Sequence, residues 1–268
     1  MLKCRWRYHI RLKLNFLIEG IKKRESDPTL VLVNGLFADL TSYDLSCVFL
    51  REHFSILRYD CRGQGGSPKP ESIYSLEDHV LDLKNLLEEI NIDNIILLGL
   101  SNGGRIAMEF SIRFPKMVKA LVALDTYDEA TPMLAAKLNS WKVAHEIGGP
   151  LHRFDVATPW IWGEEFFNHK NELILSYREK ASGLKSHVVK GLIEGALESF
   201  IDLTKLEVQT LLVVGKEDLL TPVFNHEKMI AKIRNGKLLI VEGGHASVLE
   251  RPNIMEKNIL PWLMEVLK

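Results

Sequence analysis

The chain has 268 residues, 46% of them hydrophobic and 26% charged, which is enough length and apolar content for one domain with a sizeable buried core. Its formal net charge of −1 lacks the basic excess that sequence-independent nucleic-acid binding or attraction to an anionic membrane requires. Three cysteines without a close pair, Cys4, Cys47 and Cys61, point away from a disulfide framework or a thiolate metal site and towards a reducing compartment.

The first element in chain order has a period of two. Lys3, Arg5, Arg7, His9, Arg11 and Lys13 are basic, and they alternate with the mostly apolar Leu2, Cys4, Trp6, Tyr8, Ile10, Leu12 and Leu14. The pattern predicts a half-buried strand over 2–14. Its basic face reads either as the solvated side of an edge strand guarded by charge or as an anion-binding surface. The same alternation lacks the continuous apolar stretch of an export signal, and no run reaches the roughly 20 apolar residues that span a bilayer. A soluble, cytoplasmic protein with neither a membrane nor a nucleic-acid partner is expected.

Short runs rich in apolar and β-branched residues follow at Thr29–Val33, Ser55–Tyr59, Asn94–Leu98, Ala120–Leu124, Thr210–Val214 and Lys237–Val241. Most are continuously apolar, as parallel strands covered on both faces are. Helical periodicity separates them, for example over Leu76–Ile90 and Arg105–Phe114. The alternation predicts an α/β fold with a doubly wound, mostly parallel sheet. Between Asp125 and Thr210 the rhythm breaks for about 80 residues of helical pattern, too long for an ordinary connection. A helical cap over 127–205, inserted into a core of 1–126 and 206–268, is the expected organisation.

Gly99-Leu100-Ser101-Asn102-Gly103-Gly104 follows an apolar strand and precedes a helical pattern. A G-x-S-x-G sequence is weak alone, but strand, sharp turn and helix is the context a nucleophile elbow needs. A serine hydroxyl attacks only when a base removes its proton. His245, in the loop after the last predicted strand, is the best-placed base, at the sheet edge where open α/β sheets put working residues. Asp218, in the loop after Thr210–Val214, is the preferred acid to orient that histidine, with Asp125 and Glu217 as rivals. The oxyanion of a tetrahedral intermediate would be met by the backbone amides of Asn102 and Leu36, the latter in the loop after the strand Thr29–Val33.

With these residues the chain resembles the α/β-hydrolase superfamily, in particular its compact lid-bearing serine hydrolases, which include carboxylesterases, enol-lactonases, thioesterases and C–C hydrolases. The resemblance also rests on Asp60-Cys61-Arg62-Gly63-Gln64-Gly65-Gly66-Ser67, similar to that family's D-x-R-G-x-G-x-S segment. The G-x-x-D-x-x-x-P pattern from Gly215 to Pro222 and Gly244-His245 followed by Glu250-Arg251-Pro252 carry it further. Asn34 departs from it, because the family usually has histidine there. The resemblance implies hydrolysis of a carboxylic ester, lactone or thioester of a small to medium apolar substrate through an acyl-serine. C–C bond hydrolysis, acyl transfer or slow-turnover ligand sensing stand as alternatives. No cofactor or metal is implied, since no His/Cys/Asp/Glu group has ligand spacing. Phe37, Trp141, Trp160 and Trp162 are the candidate substrate-binding residues, with Met133, Phe166 and Phe167 as further wall residues; equally, the aromatics of the cap serve only to pack it onto the sheet.

Overall fold

Continuously apolar strands need cover on both faces, and the architecture supplies it. The computed structural model describes residues 11–21, 24 and 26–268. Its strands are β1 (Phe16–Gly20), β2 (Thr29–Val33), β3 (Ser55–Tyr59), β4 (Ile95–Leu100), β5 (Val118–Leu124), β6 (Gln209–Gly215) and β7 (Gly236–Val241). Helices are α1 (Asp44–Cys47), α2 (Leu76–Glu89), α3 (Asn102–Arg113), α4 (Pro132–Ile161), α5 (Glu164–His169), α6 (Asn171–Ala181), α7 (Ser186–Leu197), α8 (Val223–Ile230), α9 (Ser247–Glu250) and α10 (Leu260–Val266). The sheet order is β1-β3-β2-β4-β5-β6-β7, with β1 antiparallel to β3 and every other pair parallel. This is the doubly wound, mostly parallel sheet that the strand and helix alternation predicts.

Alternate residues of each strand enter different cores. Val31, Val33, Leu97 and Leu121 pack with residues of α2 and α3 on one face. Leu30, Leu32, Ile96, Leu98 and Val122 pack with residues of α1, α9 and α10 on the other. Each such aliphatic side chain, fully buried, contributes about 1.5–3 kcal/mol, which is why a continuous apolar run cannot leave the sheet interior. Helix α2 begins at a capping box in which Ser75 accepts from the Asp78 amide and Asp78 accepts from Ser75.

The edge strand differs from the expectation. Residues 1–10 of the alternating segment lie outside the described residues, and 11–15 form no strand. The edge is instead Phe16–Gly20, paired in register Phe16 to Tyr59 and Gly20 to Ser55. Three consecutive apolar residues at this exposed position carry no alternation, so periodicity does not reveal the strand.

Between β5 and β6 the chain runs through α4 to α7, and α4 is kinked at Gly149 (φ 75°), followed by Pro150. These helices build an apolar cluster apart from the two sheet faces, with Leu134, Leu138, Trp141 and Ile193 buried in it and Leu36 and Phe37 packed against it. The chain order reverses about β2, since β3 lies on one side and β4 on the other. Crevices beyond the carboxyl ends of strands at such a point are where open α/β sheets bind ligands. Among the described residues, no helix is long and apolar enough to cross a membrane.

Candidate active site

Strand β4 ends at Leu100 and α3 begins at Asn102, so the reversal falls on Ser101 alone. Its backbone has φ 56° and ψ −120°, a region that costs a residue with a Cβ about 1–3 kcal/mol. Neighbouring contacts hold it there. The Ser101 amide donates to Leu124 O at 2.8 Å, and Thr126 Oγ1 donates to Ser101 O at 2.6 Å. A Cβ on Gly99 would stand 2.2 Å from Gly103 O, and one on Gly103 would stand 2.2 Å from Val33 O. The small residues therefore let strand, turn and helix close on one another.

The structure brings Ser101, His245 and Asp218 into one hydrogen-bonded chain. Ser101 Oγ lies 2.8 Å from His245 Nε2, and His245 Nδ1 lies 3.0 Å from Asp218 Oδ2. All three are buried. Burial works against ionising Asp218, but the His245 charge and the hydrogen bonds from His245 and from the amide and hydroxyl of Thr221 outweigh it and hold the carboxyl below its ordinary range. Burial likewise works against the imidazolium, and Asp218 beside it outweighs that and raises His245 above its ordinary value. Thr221 Oγ1 donates to Asp218 Oδ2 at 2.8 Å and lies 3.2 Å from His245 Nδ1. The amides of Leu220 and Thr221 donate to Asp218 Oδ1 at 2.8 and 2.7 Å.

The rival acids stand elsewhere. Glu217 accepts from the Glu164 amide. Asp125 is fully buried and accepts from the Gly215 amide on Oδ1 and from the Ser247 amide and hydroxyl on Oδ2. It thus ties the loop that carries Asp218 to the loop that carries His245. Burial and the nearby Asp218 charge push its carboxyl up to about 8. Asp125→Asn is expected to lower unfolding stability by about 1–3 kcal/mol, because an amide side chain leaves one of the two backbone N–H groups unpaired. Denaturant titration reads this, and an unchanged midpoint would show that the bridge carries no weight.

Leu36 lies in the loop after β2, which passes close against the serine at the preceding residue, where a Cβ on Gly35 would stand 3.3 Å from Ser101 Cβ. Among the described residues the amides of Leu36 and Asn102 have no hydrogen-bond acceptor. Gln64 clamps this loop. Its Nε2 donates to Gly35 O and Ala38 O at 3.0 and 2.9 Å, and its Oε1 accepts from the Phe37 amide at 3.1 Å. Asn34 reaches back to the strand below, donating from Nδ2 to Tyr59 O at 3.1 Å. The His245 loop is tied to the helices between β5 and β6, for the His245 amide donates to Ile161 O and Glu250 accepts from the amides of Gly163 and Gly244.

A cavity of about 390 Å³ opens over Ser101 and His245, within the range of small-molecule sites. Phe37, Trp141 and Trp162 line it, but Trp160 does not. Trp160 packs against the apolar cluster of the inserted helices, with Lys137 Nζ 4.8 Å from its ring centre. Met133, Phe166 and Phe167 are not lining residues either; Met133 and Phe167 are exposed and Phe166 stacks on Trp162. Sequence reasoning missed Gln64, Thr221 and Arg153, the last a buried cavity residue. Gln64 belongs to the Asp60–Ser67 turn, and Thr221 stands three residues after Asp218, so their neighbourhood was visible; Arg153 has no local signal. Among the described residues, no group of His, Cys, Asp and Glu converges as a metal site.

The model of the alpha/beta hydrolase fold family matches residues 28–144. The poly(3-hydroxyalkanoate) depolymerase of Ectopseudomonas oleovorans is 26% identical over 240 residues, covering 88% of this chain and 84% of that protein. A local match at 32% identity extends over 113 residues, 42% of this chain and 39% of a Haemophilus influenzae relative. The crystal structure of the enol-lactonase from Burkholderia xenovorans LB400 superposes with a TM-score of 0.87 at 21% identity, covering 94% of this chain and 97% of that one.

Proposed function

The chain belongs to the α/β-hydrolase superfamily, and from that premise we propose that it is a serine hydrolase of carboxylic esters or lactones, thioesters included, acting through an acyl-Ser101 intermediate. The observation that carries this reading is the Ser101–His245–Asp218 chain of hydrogen bonds, at 2.8 and 3.0 Å, on the floor of a cavity. His245 Nε2 takes the hydroxyl proton as Ser101 Oγ bonds to the substrate carbonyl carbon. The carbonyl oxygen becomes an oxyanion, met by the amides of Leu36 and Asn102 and by the amino-terminal end of α3. As the tetrahedral intermediate collapses, the bond to the leaving group breaks and His245 returns the proton to it. Water then attacks the acyl-serine, gives its proton to His245, and the acid leaves with Ser101 restored. Asp218 remains ionised throughout and stabilises the imidazolium. Helices α4 to α7 act as the cap over this site.

A serine-directed fluorophosphonate, followed by peptide mapping, tests the reading directly. Stoichiometric modification at Ser101 is the expected result, and modification elsewhere or none would remove it. The pH dependence gives a second check. His245 must be neutral to act as base, and Asp218 raises its pKa, so kcat/KM should rise with pH through one ionisation above the ordinary histidine value of about 6.5. His245→Gln should abolish that ionisation with most of the rate. A rising limb centred well below pH 6 would contradict the raised value.

A further inference from the structure

We propose that Arg153 anchors a carboxylate carried by the substrate, so that the preferred ester or lactone bears an anionic group besides the bond that is cleaved. The inference rests on the hydrolase reading for the reacting end, and on Arg153 alone for the anion.

The buried arginines of the described residues make the contrast. Arg58 pairs with Glu19 and Asp44, Arg62 pairs with Asp78 and Asp82, and Arg105 donates to three backbone carbonyls, those of Ala196, Glu198 and Ser199. Arg153 is only 3% exposed; its Nε is buried without an acceptor, as those of Arg58 and Arg105 are, but unlike them it makes no hydrogen bond or ion pair through its terminal nitrogens with any described residue. It lies against the ring of Phe37, whose centre is 4.1 Å from the guanidinium carbon, and near His145, whose pKa is lowered by burial and by the Arg153 charge. An aromatic face attracts the cation, but it offers no oxygen to the N–H groups of the guanidinium fork, whose terminal nitrogens are not closed off as Nε is. A buried charge without a partner is among the more costly features a fold can retain. Burial alone lowers the Arg153 pKa to about 10, with no carboxylate near enough to raise it.

The surroundings point the same way. Arg153 lines the cavity that holds Ser101 and His245, and so does Trp141, whose indole Nε1 is likewise buried with no acceptor. Both side chains only donate, so a ligand group that meets them must be an acceptor. Lys69 and Lys180 add positive charge to the wall, while its one carboxylate, Asp39, accepts from the amide and hydroxyl of Thr41. The planar guanidinium fork matches a carboxylate through two parallel hydrogen bonds. Phe37, the ring beneath Arg153, follows Leu36 directly, so the anion seat adjoins the loop proposed to receive the oxyanion. Carboxylate at one end and scissile carbonyl at the other would fix the substrate's orientation, which a smooth apolar pocket does not do.

Binding to the Ser101→Ala protein tests this without turnover. Monomethyl esters of dicarboxylic acids from succinate to pimelate are titrated calorimetrically against the matched dimethyl esters, so that ligand length does not decide the outcome. At least one monoester should bind roughly 10²-fold more tightly than its neutral partner, and Arg153→Met in the same background should abolish the preference. Arg153→Lys, which keeps the charge without the fork, should retain part of it. The unliganded Arg153→Met protein should melt no lower than its parent, because it loses an unpaired buried charge, whereas an arginine needed for folding would lower the melting temperature. In the native enzyme the same substitution should lower the monoester to diester ratio of kcat/KM to a comparable degree. Equal binding of mono- and diesters, a preference that survives Arg153→Met, or inorganic phosphate binding as tightly as the best monoester would each overturn the carboxylate anchor. Anion selectivity without hydrolysis of any ester would overturn the hydrolase reading and leave the anchor standing; hydrolysis without selectivity would do the reverse.

Discussion

Ser101→Ala is expected to lower kcat by about 10⁶-fold on any ester that the native enzyme hydrolyses, the loss seen when the nucleophile of such a triad is removed. The alanine keeps the backbone in the same φ 56° conformation, so strain is neither added nor relieved. It deletes a single buried hydrogen bond, that between Ser101 Oγ and His245 Nε2, and the stability change should stay near 1 kcal/mol. A large kinetic effect on a nearly unchanged fold separates a nucleophile from a structural serine. Steady-state rates, burst amplitude and thermal unfolding measured on one preparation make that separation. Residual turnover within tenfold of the native rate would mean that another group attacks the substrate and that the elbow is only a turn. The remaining slow rate, carried by oxyanion donors and binding alone, should no longer pass through a trappable acyl-enzyme.

Much of this arrangement is legible in the sequence wherever one physical constraint acts locally. Val31 and Val33 face one core and Leu30 and Leu32 the other, so β2 must be apolar throughout and shows itself as a run. Ser101 lies between a buried strand and a helix with glycines at the two contacts where a side chain would collide, and a motif read in that context is informative. Where the constraint is tertiary, the signal fades. The edge strand Phe16–Gly20 is chosen by pairing with β3, whereas the alternation lies in the residues before it. Trp160 and Trp162 are equally aromatic and two residues apart, yet only Trp162 reaches the cavity, a difference set by how the end of α4 meets the His245 loop. Arg153 looks in the sequence like any surface arginine of a helix. Its meaning comes from what it does not touch once the helices have closed over it.

Asp218→Asn should cost about 10⁴-fold in kcat, and the hydrogen bonds around this carboxylate explain why an isosteric change is so damaging. Oδ1 accepts from the amides of Leu220 and Thr221, and Oδ2 faces Thr221 Oγ1 and His245 Nδ1. An asparagine has one oxygen, and the two fixed amides at the Oδ1 position claim it. Its Nδ2 then occupies the Oδ2 position and donates to His245 Nδ1. The histidine responds by carrying its proton on Nε2, 2.8 Å from Ser101 Oγ, where a proton acceptor is required. Geometry survives while the base is lost, so KM should change little and the defect should fall on kcat. With the negative charge gone, the support that raises His245 is removed, and any residual pH dependence should move to lower pH. Asp125→Asn, which leaves the tautomer alone, should cost far less activity in spite of its effect on stability. If Asp125→Asn proved the more damaging to kcat at a temperature where both variants are folded, the orienting acid would be Asp125, and Asp218 would be left with the local role of closing its own loop.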